Sequence, residues 1–390
     1  MKPHIAIVVQ RYGKDLIGGA EKHAEQAVDA LKDKFDITVI TTTAFDYITW
    51  KNHYPAGITV EDGVEIIRFP VKRERDIVSF NAFSDGFFPR KEKTMQEEDE
   101  WFHLQGPECP ELIKYLEENA GSYDCFVFFT YLYYTTVYGV PAVGGKSILI
   151  PTSHNEPPIH LQRIKEVFCN AWGLLFNTET EKDMVYRFHP EASKKYVIGG
   201  IYIECPKDVK KYKRPIKEKY CLYYGRLDRG KGIYDLFDNF SLLKSKHPDL
   251  NLICLGKTNP EIKPRIGIVF PGFVSDEEKW AYIYHSEFVV IPSQFESLSM
   301  ALLESFAAGK PALVNAKCDV LIDHCRKSGG GMWYNDYSEF ISEAESIVNS
   351  RGLSKKLGKN GRRYVNEFYS RKRISEIYAG FIQSLLDSKS

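Results

Sequence analysis

Residues 292–311 read Pro-Ser-Gln-Phe-Glu-Ser-Leu-Ser-Met-Ala-Leu-Leu-Glu-Ser-Phe-Ala-Ala-Gly-Lys-Pro. The apolar run Phe288–Ile291 precedes this stretch and predicts a strand, and the stretch itself predicts a helix over Ser297–Ala308. Glu296 lies at the predicted helix entrance, and Glu304 follows eight residues later. If the intervening residues are helical, the two carboxylates lie about 12 Å apart along the axis and are offset by roughly 80°, so both face one groove.

A groove with two acids at this separation matches the length of a nucleotide sugar from hexose to ribose. One carboxylate would bind sugar hydroxyls and the other ribose hydroxyls. The backbone N–H groups of Ser297, Leu298 and Ser299 would meet the diphosphate between them at the helix start. The alternative is that Glu296 is an acid of the N-cap region and Glu304 a surface helix residue. The apolar residues around Glu304 argue against a surface position, because an unpaired acid in a buried helix is costly.

A glycine-rich loop follows the predicted strand Tyr220–Tyr224. It begins Gly225-Arg226 and ends Lys231-Gly232. An arginine offers a planar fork and a lysine a point charge, and both suit phosphate oxygens. A solvated basic turn is the alternative interpretation.

The loop after the first predicted strand, Ile5–Val9, contains Gly18 and Gly19 at the start of a predicted helix. Bare backbone N–H groups at a helix start suit an anion. The loop does not contain G-x-G-x-x-G, so the dinucleotide fingerprint is absent. A flexible glycine turn without a ligand is the alternative.

Short apolar runs alternate with amphipathic helical segments as far as Ser338, and the pattern is helical from there to the end. This alternation predicts parallel sheets covered by helices. The alternation stops at the polar stretch Glu204–Lys217 and then restarts. The sequence therefore predicts an N-terminal domain over residues 1–203 and a C-terminal domain over residues 204–370. Residues 371–390 are predicted to be a helix.

Composition excludes several classes of protein. The 390 residues contain 52 Lys+Arg and 52 Asp+Glu, so no bulk charge favours nucleic acid. The eight cysteines include no C-x-x-C pair, and three of them lie in strand-like runs where buried thiols are usual. No signal peptide or membrane span is expected, and a cytoplasmic location fits best. Peripheral contact of the protein with the membrane face is the alternative left open.

These motifs together resemble the retaining glycosyltransferases of family 4, which have the GT-B fold. The E-x7-E pattern is Glu296 and Glu304, and the G-R-x-x-x-x-K-G loop is Gly225–Gly232. The G-G-A-E motif is Gly18–Glu21, and Gly272–Asp276 resembles the loop that meets the base. The resemblance implies an α/β protein of two tandem Rossmann-like, doubly wound domains. It also implies an interdomain cleft and a C-terminal helix that crosses back to the N-terminal domain.

The resemblance also implies roles for individual residues. Glu296 would bind the donor sugar and Glu304 the ribose, while Arg226 and Lys231 would carry the diphosphate. Gly19, in the first domain, would approach the diphosphate from across the cleft. The other expected site residues are His154, near the sugar and catalytic, and the donor-binding residues Gly18, Gly225, Phe273, Val274, Ser297, Leu298 and Ser299.

The expected reaction moves a hexose from a nucleoside-diphosphate sugar to a hydroxyl of a glycan or lipid-linked acceptor, with retention, as in polysaccharide biosynthesis. A UDP-sugar is favoured over GDP-mannose as the donor. The chain contains no D-x-D, so no metal and no cofactor are expected, and the cationic loop takes the place of the metal.

Two departures from the family pattern concern the donor. The P-N-G-V-D segment appears here as Ile198–Tyr202 without its Asn and Asp, and a common Phe-Gly appears as Leu298-Ser299. A serine in place of glycine narrows a pocket where backbone meets ligand.

The acceptor side is less determined. The stretch Arg73–Lys93 carries four phenylalanines among five cations, which suits either a lipid surface or an ordinary long loop packed by its aromatics. Two other functions remain open for the chain. A nucleotide-sugar 2-epimerase of the same fold would need no acceptor, and a two-domain sugar-binding protein would not need the cationic loop.

Overall fold

The computed structural model describes residues 2–16, 18–257 and 262–388, which form two compact units. Unit 1 comprises Met1–Ile201 and Ile374–Ser390, and unit 2 comprises Tyr202–Arg373. The boundaries drawn from the sequence lie after residues 203 and 370. Each unit is an α/β structure with its own sheet and core.

Unit 1 contains an eight-stranded sheet with the strand order β3-β4-β2-β1-β5-β6-β7-β8. All neighbouring strands are parallel except β3 and β4. The strands are β1 His4–Val8, β2 Asp36–Thr42, β3 Gly57–Glu61, β4 Val64–Phe69, β5 Cys125–Phe129, β6 Ser147–Ile150, β7 Gly173–Phe176 and β8 Tyr196–Ile198.

Helices cover this sheet, as the alternating pattern predicts. They are α1 Gly19–Leu31, α2 Ile77–Phe87, α3 Met95–Gln105, α4 Pro110–Asn119, α5 Tyr134–Val137, α6 Gly139–Ala142, α7 Gln162–Asn170 and α8 Glu179–Phe188. Every residue of β5, β6 and β7 is buried, which is typical of parallel strands covered on both faces. The sequence missed β3 and β8, because β3 is a largely exposed edge strand and β8 has only three residues.

Unit 2 contains a six-stranded sheet with the order β11-β10-β9-β12-β13-β14, and its paired strands are all parallel. The strands are β9 Lys219–Tyr224, β10 Leu250–Leu255, β11 Ile268–Gly272, β12 Val289–Ile291, β13 Ala312–Asn315 and β14 Gly331–Tyr334. The helices are α9 Ile233–Lys246, α10 Asp276–His285, α11 Met300–Ala307, α12 Asp319–Ser328, α13 Tyr337–Asn349 and α14 Arg351–Phe368.

The last helix, α15 (Arg371–Asp387), belongs to unit 1 from Ile374 onwards. The Tyr378 hydroxyl donates to the carbonyl oxygen of Gly200 at 2.6 Å and lies 2.5 Å from His23 Nε2. A Cβ on Gly199 would lie 2.7 Å from the Tyr378 ring, so the glycine lets the helix approach. The glycines of the divergent Ile198–Tyr202 segment thus contact this helix.

The stretch Arg73–Lys93 is not the long loop that one interpretation expected, because α2 occupies most of it. Phe87 is fully buried, and Phe80, Phe83 and Phe88 pack against the same core. Arg73 and Arg90 form ion pairs with acids of unit 1. These contacts favour packing by the aromatics over insertion into a lipid surface.

Two further expectations can be compared with the structure. All eight cysteines are free thiols, and the three in strands β5, β9 and β10 are buried, as predicted. Within the described ranges, no helix combines the length and the apolar character needed to cross a membrane.

Candidate active site

Three glycines end neighbouring strands of unit 2 at the carboxyl edge of its sheet. Gly225 follows β9, Gly256 follows β10, and Gly272 ends β11. The Gly225 amide donates to Leu255, and the Gly256 amide donates to Gly272, each at 3.0 Å. A Cβ on Gly256 would lie 2.1 Å from the Gly225 carbonyl oxygen, so no larger residue fits. This edge therefore presents bare backbone where a ligand of an open α/β sheet is expected.

The loop after β9 turns sharply and reaches the segment after β12. Asp228 accepts the Lys231 amide at 3.1 Å and so closes the turn Arg229–Lys231. Gly232 has a φ of 73°, and a Cβ there would lie 2.5 Å from the Pro292 carbonyl oxygen. The two loops are therefore in direct backbone contact, which explains why glycine occupies position 232.

This contact brings together two of the predicted site residues. Lys231 Nζ lies 2.6 Å from Glu296 Oε1, and the two side chains are 25% and 15% exposed. Arg226 is more exposed, and its Nε lies 3.4 Å from Asp228 Oδ2. The cationic loop and the first acid of the E-x7-E pattern thus form one cluster at the carboxyl edge.

The predicted helix start at Ser297 is wrong. Helix α11 begins at Met300, and Ser299 is its N-cap with a φ of 69°. The estimate of about 12 Å between Glu296 and Glu304 assumed continuous helix and so does not apply. Leu298 and Ser299 are buried at this turn. A positive φ favours glycine, so Ser299 holds a conformation that costs a serine free energy.

Glu304 has a partner that sequence reasoning missed. Lys279 Nζ, on α10, lies 2.9 Å from Glu304 Oε1 and 3.2 Å from Asp276. Burial alone would lower the pKa of Lys279, but Glu304 and Asp276 outweigh it and raise that pKa. Tyr224, at the end of β9, also adjoins Glu304, and burial raises the pKa of its hydroxyl. The buried acid predicted to be costly is thus paired within unit 2.

Phe273 and Val274 lie in the loop between β11 and α10. Phe273 is 69% exposed, which is unusual for a phenylalanine. The loop ends at Ser275, whose side chain forms a reciprocal capping box with Glu278 at the start of α10. The cap fixes the loop and leaves the Phe273 ring accessible at the carboxyl edge.

In unit 1, the G-G-A-E loop is organised by a buried ion pair. Glu21 Oε1 accepts from Arg11 Nη2 at 2.6 Å, Arg11 Nε at 2.9 Å and Gln10 Nε2 at 3.0 Å. A Cβ on Gly18 would lie 1.9 Å from Glu21 Oε2, whereas a Cβ on Gly19 would meet nothing within 4 Å. Gly18 therefore makes room for the carboxylate, and Gly19 leaves space open above the start of α1.

His154 follows β6 at the carboxyl edge of the unit 1 sheet. Its Nε2 lies 3.4 Å from Glu156 Oε1, which also accepts from the Tyr131 hydroxyl at 2.7 Å. The adjacent residue Ser153 donates its amide and its hydroxyl to Glu181. His154 thus lies in a loop whose shape is fixed by acids on both sides.

Glu181 is a buried acid that sequence reasoning did not select. Besides Ser153 it accepts the Asn177 amide at 2.7 Å, so it joins the loops after β6 and β7. Burial raises the pKa of its carboxyl to about 7, although its hydrogen bonds act in the opposite direction. The only sequence signal is its place in the first turn of α8, after the N-cap Thr178.

In the described ranges, no cluster of three or more His, Cys, Asp or Glu side chains has a geometry that could hold a metal ion.

Residues 205–364 match the family model described as glycosyl transferases group 1. These residues lie within unit 2. The O-antigen chain mannosyltransferase C of Escherichia coli is 23% identical over 192 residues, which are 46% of this chain and 50% of that protein. The chain thus matches about half the length of this curated relative.

Solved structures resemble the whole chain. The sucrose-phosphate synthase of Thermosynechococcus elongatus has a TM-score of 0.73 at 15% identity and covers 100% of both chains. The Anabaena HepE protein in complex with UDP and glucose has a TM-score of 0.70 at 14% identity, covering 98% of this chain and 100% of that one. The fold of the chain is GT-B, as the resemblance of its motifs implied.

Proposed function

We propose that the protein transfers a hexose from a nucleoside-diphosphate sugar to a hydroxyl of a glycan or a lipid-linked acceptor, with retention and without a metal. The observation that carries this proposal is the contact between Lys231 and Glu296 at 2.6 Å. It joins a cation and a carboxylate at an edge of bare glycine backbone. The cation suits the oxygens of a diphosphate, and the carboxylate can accept hydrogen bonds from the hydroxyls of a sugar.

The pair offers both groups to one ligand. A diphosphate that attracts the Lys231 amine away from Glu296 also releases the carboxylate oxygens for sugar hydroxyls. A lysine is suited to this exchange, because its ammonium is a point charge on a flexible stem. As the sugar leaves, negative charge grows on the diphosphate, and Lys231 and Arg226 stabilise that charge.

The other predicted residues complete the proposal. Glu304, oriented by Lys279, accepts the ribose hydroxyls, and Phe273 and Val274 meet the base. Residues Ser297–Ser299 line the donor site as a turn that precedes α11, rather than as the first turn of a helix. In unit 1, Gly18 makes room for Glu21, and Gly19 and His154 stay predicted donor-binding and catalytic residues.

A UDP-sugar is the favoured donor. UDP and glucose in the HepE complex support it, whereas the name of the E. coli relative keeps mannose donors in consideration.

The proposal is tested by a donor screen that measures released UDP or GDP, with and without EDTA. We expect slow hydrolysis of one nucleotide sugar, at a rate that EDTA does not change. When the sugar is transferred to an acceptor, a sugar that is α-configured in the donor should also be α-configured in the product. Isomerised nucleotide sugar without release of nucleotide would contradict a transferase. Loss of activity with EDTA would contradict metal independence alone.

A further inference from the structure

A basic groove lies at the amino edge of the unit 2 sheet, opposite the glycine edge. It is formed by α14 and the turn at Gly309, which precedes β13, and its volume is about 740 Å³. Helix α11 lies between the two edges: Ser299 begins it and Gly309 follows its end. Eight helical residues span about 12 Å, so the groove is distinct from the cluster around Lys231 and Glu296.

Close packing of backbone forms the floor of the groove. A Cβ on Gly358 would lie 2.0 Å from the Gly309 carbonyl oxygen, so α14 can approach this turn only with a glycine there. Arg362 Nη2 donates to the Ala308 carbonyl at 2.6 Å, and its Nε donates to Ala307 at 3.2 Å. Arg362 therefore caps the end of α11 and is held in a fixed position.

Three further cations form a row along the groove. Lys355, Lys359 and Arg363 are exposed and line it, at i, i+4 and i+8 of α14. Helical geometry spaces them by about 6 Å, or about 12 Å in all. Among the ion pairs of the described residues, none involves these three side chains. Glu367 is the acid that lines the same groove.

Positive charge extends beyond the row. Lys310, next to Gly309, is partly buried, and burial lowers its pKa to about 8. Glu287 opposes this shift, whereas Arg214 and Arg362 add to it. Cations are therefore concentrated at this edge of a chain whose total charge is zero.

We propose that this groove is a second anion-binding site, which takes a ligand with more than one phosphate along the row of Lys355, Lys359 and Arg363. A single phosphate would satisfy one or two of these cations, whereas a diphosphate or adjacent phospholipid head groups would reach along the row. The chemistry is the same for a soluble and a lipid source, and the experiment separates them.

The soluble source is tested with inorganic pyrophosphate by titration calorimetry at low salt. The background is the variant Arg226→Ala/Lys231→Ala, which lacks the two cations proposed to bind the diphosphate of the nucleotide sugar. In that background Lys359→Gln should weaken binding about tenfold, because it removes one charge-assisted contact. Lys356→Gln is the matched control: Lys356 is exposed on the same helix but does not line the groove. Its effect should be less than about twofold.

The lipid source is tested by sedimentation with phosphatidylcholine vesicles, with and without phosphatidylglycerol. Binding to the anionic vesicles that is lost in Lys359→Gln, kept in Lys356→Gln and restored in Lys359→Arg supports a lipid ligand. Pyrophosphate binding with the same pattern, but no vesicle binding, supports a soluble one. Absence of both, or equal losses in Lys359→Gln and Lys356→Gln, would overturn the proposal, because a diffuse basic surface would then explain the charge.

Discussion

The carboxyl edges of the two sheets use acids differently. In unit 1, Glu21 is fixed by the guanidinium fork of Arg11, and Glu181 by backbone amides and a serine hydroxyl. In unit 2, Glu296 and Glu304 each accept from a lysine amine. Rigid donors hold an acid in a structural role, whereas a flexible lysine can be moved by a ligand. The type of hydrogen-bond donor therefore separates the acids that shape loops from the acids proposed to bind the nucleotide sugar.

The largest expected effect tests the structural side of this comparison. Glu21→Gln leaves the guanidinium of Arg11 buried without its carboxylate, and we expect the free energy of unfolding to fall by about 3–5 kcal/mol. Urea unfolding measures it. Glu25→Gln, which breaks a more exposed pair with Lys22 on the same helix, is the control and should cost less than about 1 kcal/mol. Similar losses in the two variants would show that Glu21 is not fixed as described.

The second prediction concerns Glu181 and pH. Its pKa in the fold is raised from 4.5 to about 7, so the folded protein binds the proton more tightly than the unfolded chain does. The associated stability is complete below the unfolded pKa and is lost as pH rises through about 7. The wild type should therefore lose roughly 3 kcal/mol between about pH 5 and about pH 8, relative to Glu181→Gln. If the unfolding free energies of the two proteins change equally with pH across this range, the assignment is contradicted.

The third prediction examines a flexible pair in unit 2. Lys279→Met leaves Glu304 as a buried acid without its ammonium, and we expect a loss of about 2 kcal/mol in unfolding free energy. Nucleotide affinity should fall as well, because Glu304 is no longer oriented. Lys279→Arg keeps the charge and should recover most of both quantities. If affinity is unchanged while stability falls, Glu304 is a structural acid like Glu21, and the comparison fails.

The smallest effect concerns the turn before α11. Ser299→Gly relieves a positive φ and should stabilise the protein by about 0.5–1 kcal/mol, less than the full strain because glycine also gains freedom in the unfolded chain. Thermal unfolding detects the shift. Ser297→Gly, two residues earlier, does not relieve a positive φ and should be neutral or slightly destabilising.

The sequence predicted parallel sheets covered by helices, because buried parallel strands such as β5 and β10 are short apolar runs bounded by glycines and turns. It did not select β13 and β14, which have four residues each. It also selected Lys231 and Glu296, since both belong to compact local motifs. It did not reveal the partners Arg11 of Glu21 and Lys279 of Glu304, because each pairing depends on how separate elements pack. The start of α11 was missed for a related reason: Ser299 adopts a conformation that its side chain does not favour.

The central claim is that the Lys231 and Glu296 cluster binds the diphosphate of a sugar nucleotide. It is tested most directly by comparing Lys231→Ala with Lys219→Ala, in turnover and in calorimetric binding of UDP and GDP. Lys219 also forms an ion pair, but at the amino end of β9, whereas Lys231 lies beyond its carboxyl end. We predict that Lys231→Ala lowers turnover at least about tenfold and weakens nucleotide binding, with the fold intact, while Lys219→Ala changes neither. Equal activity and nucleotide affinity in the two variants would contradict the account.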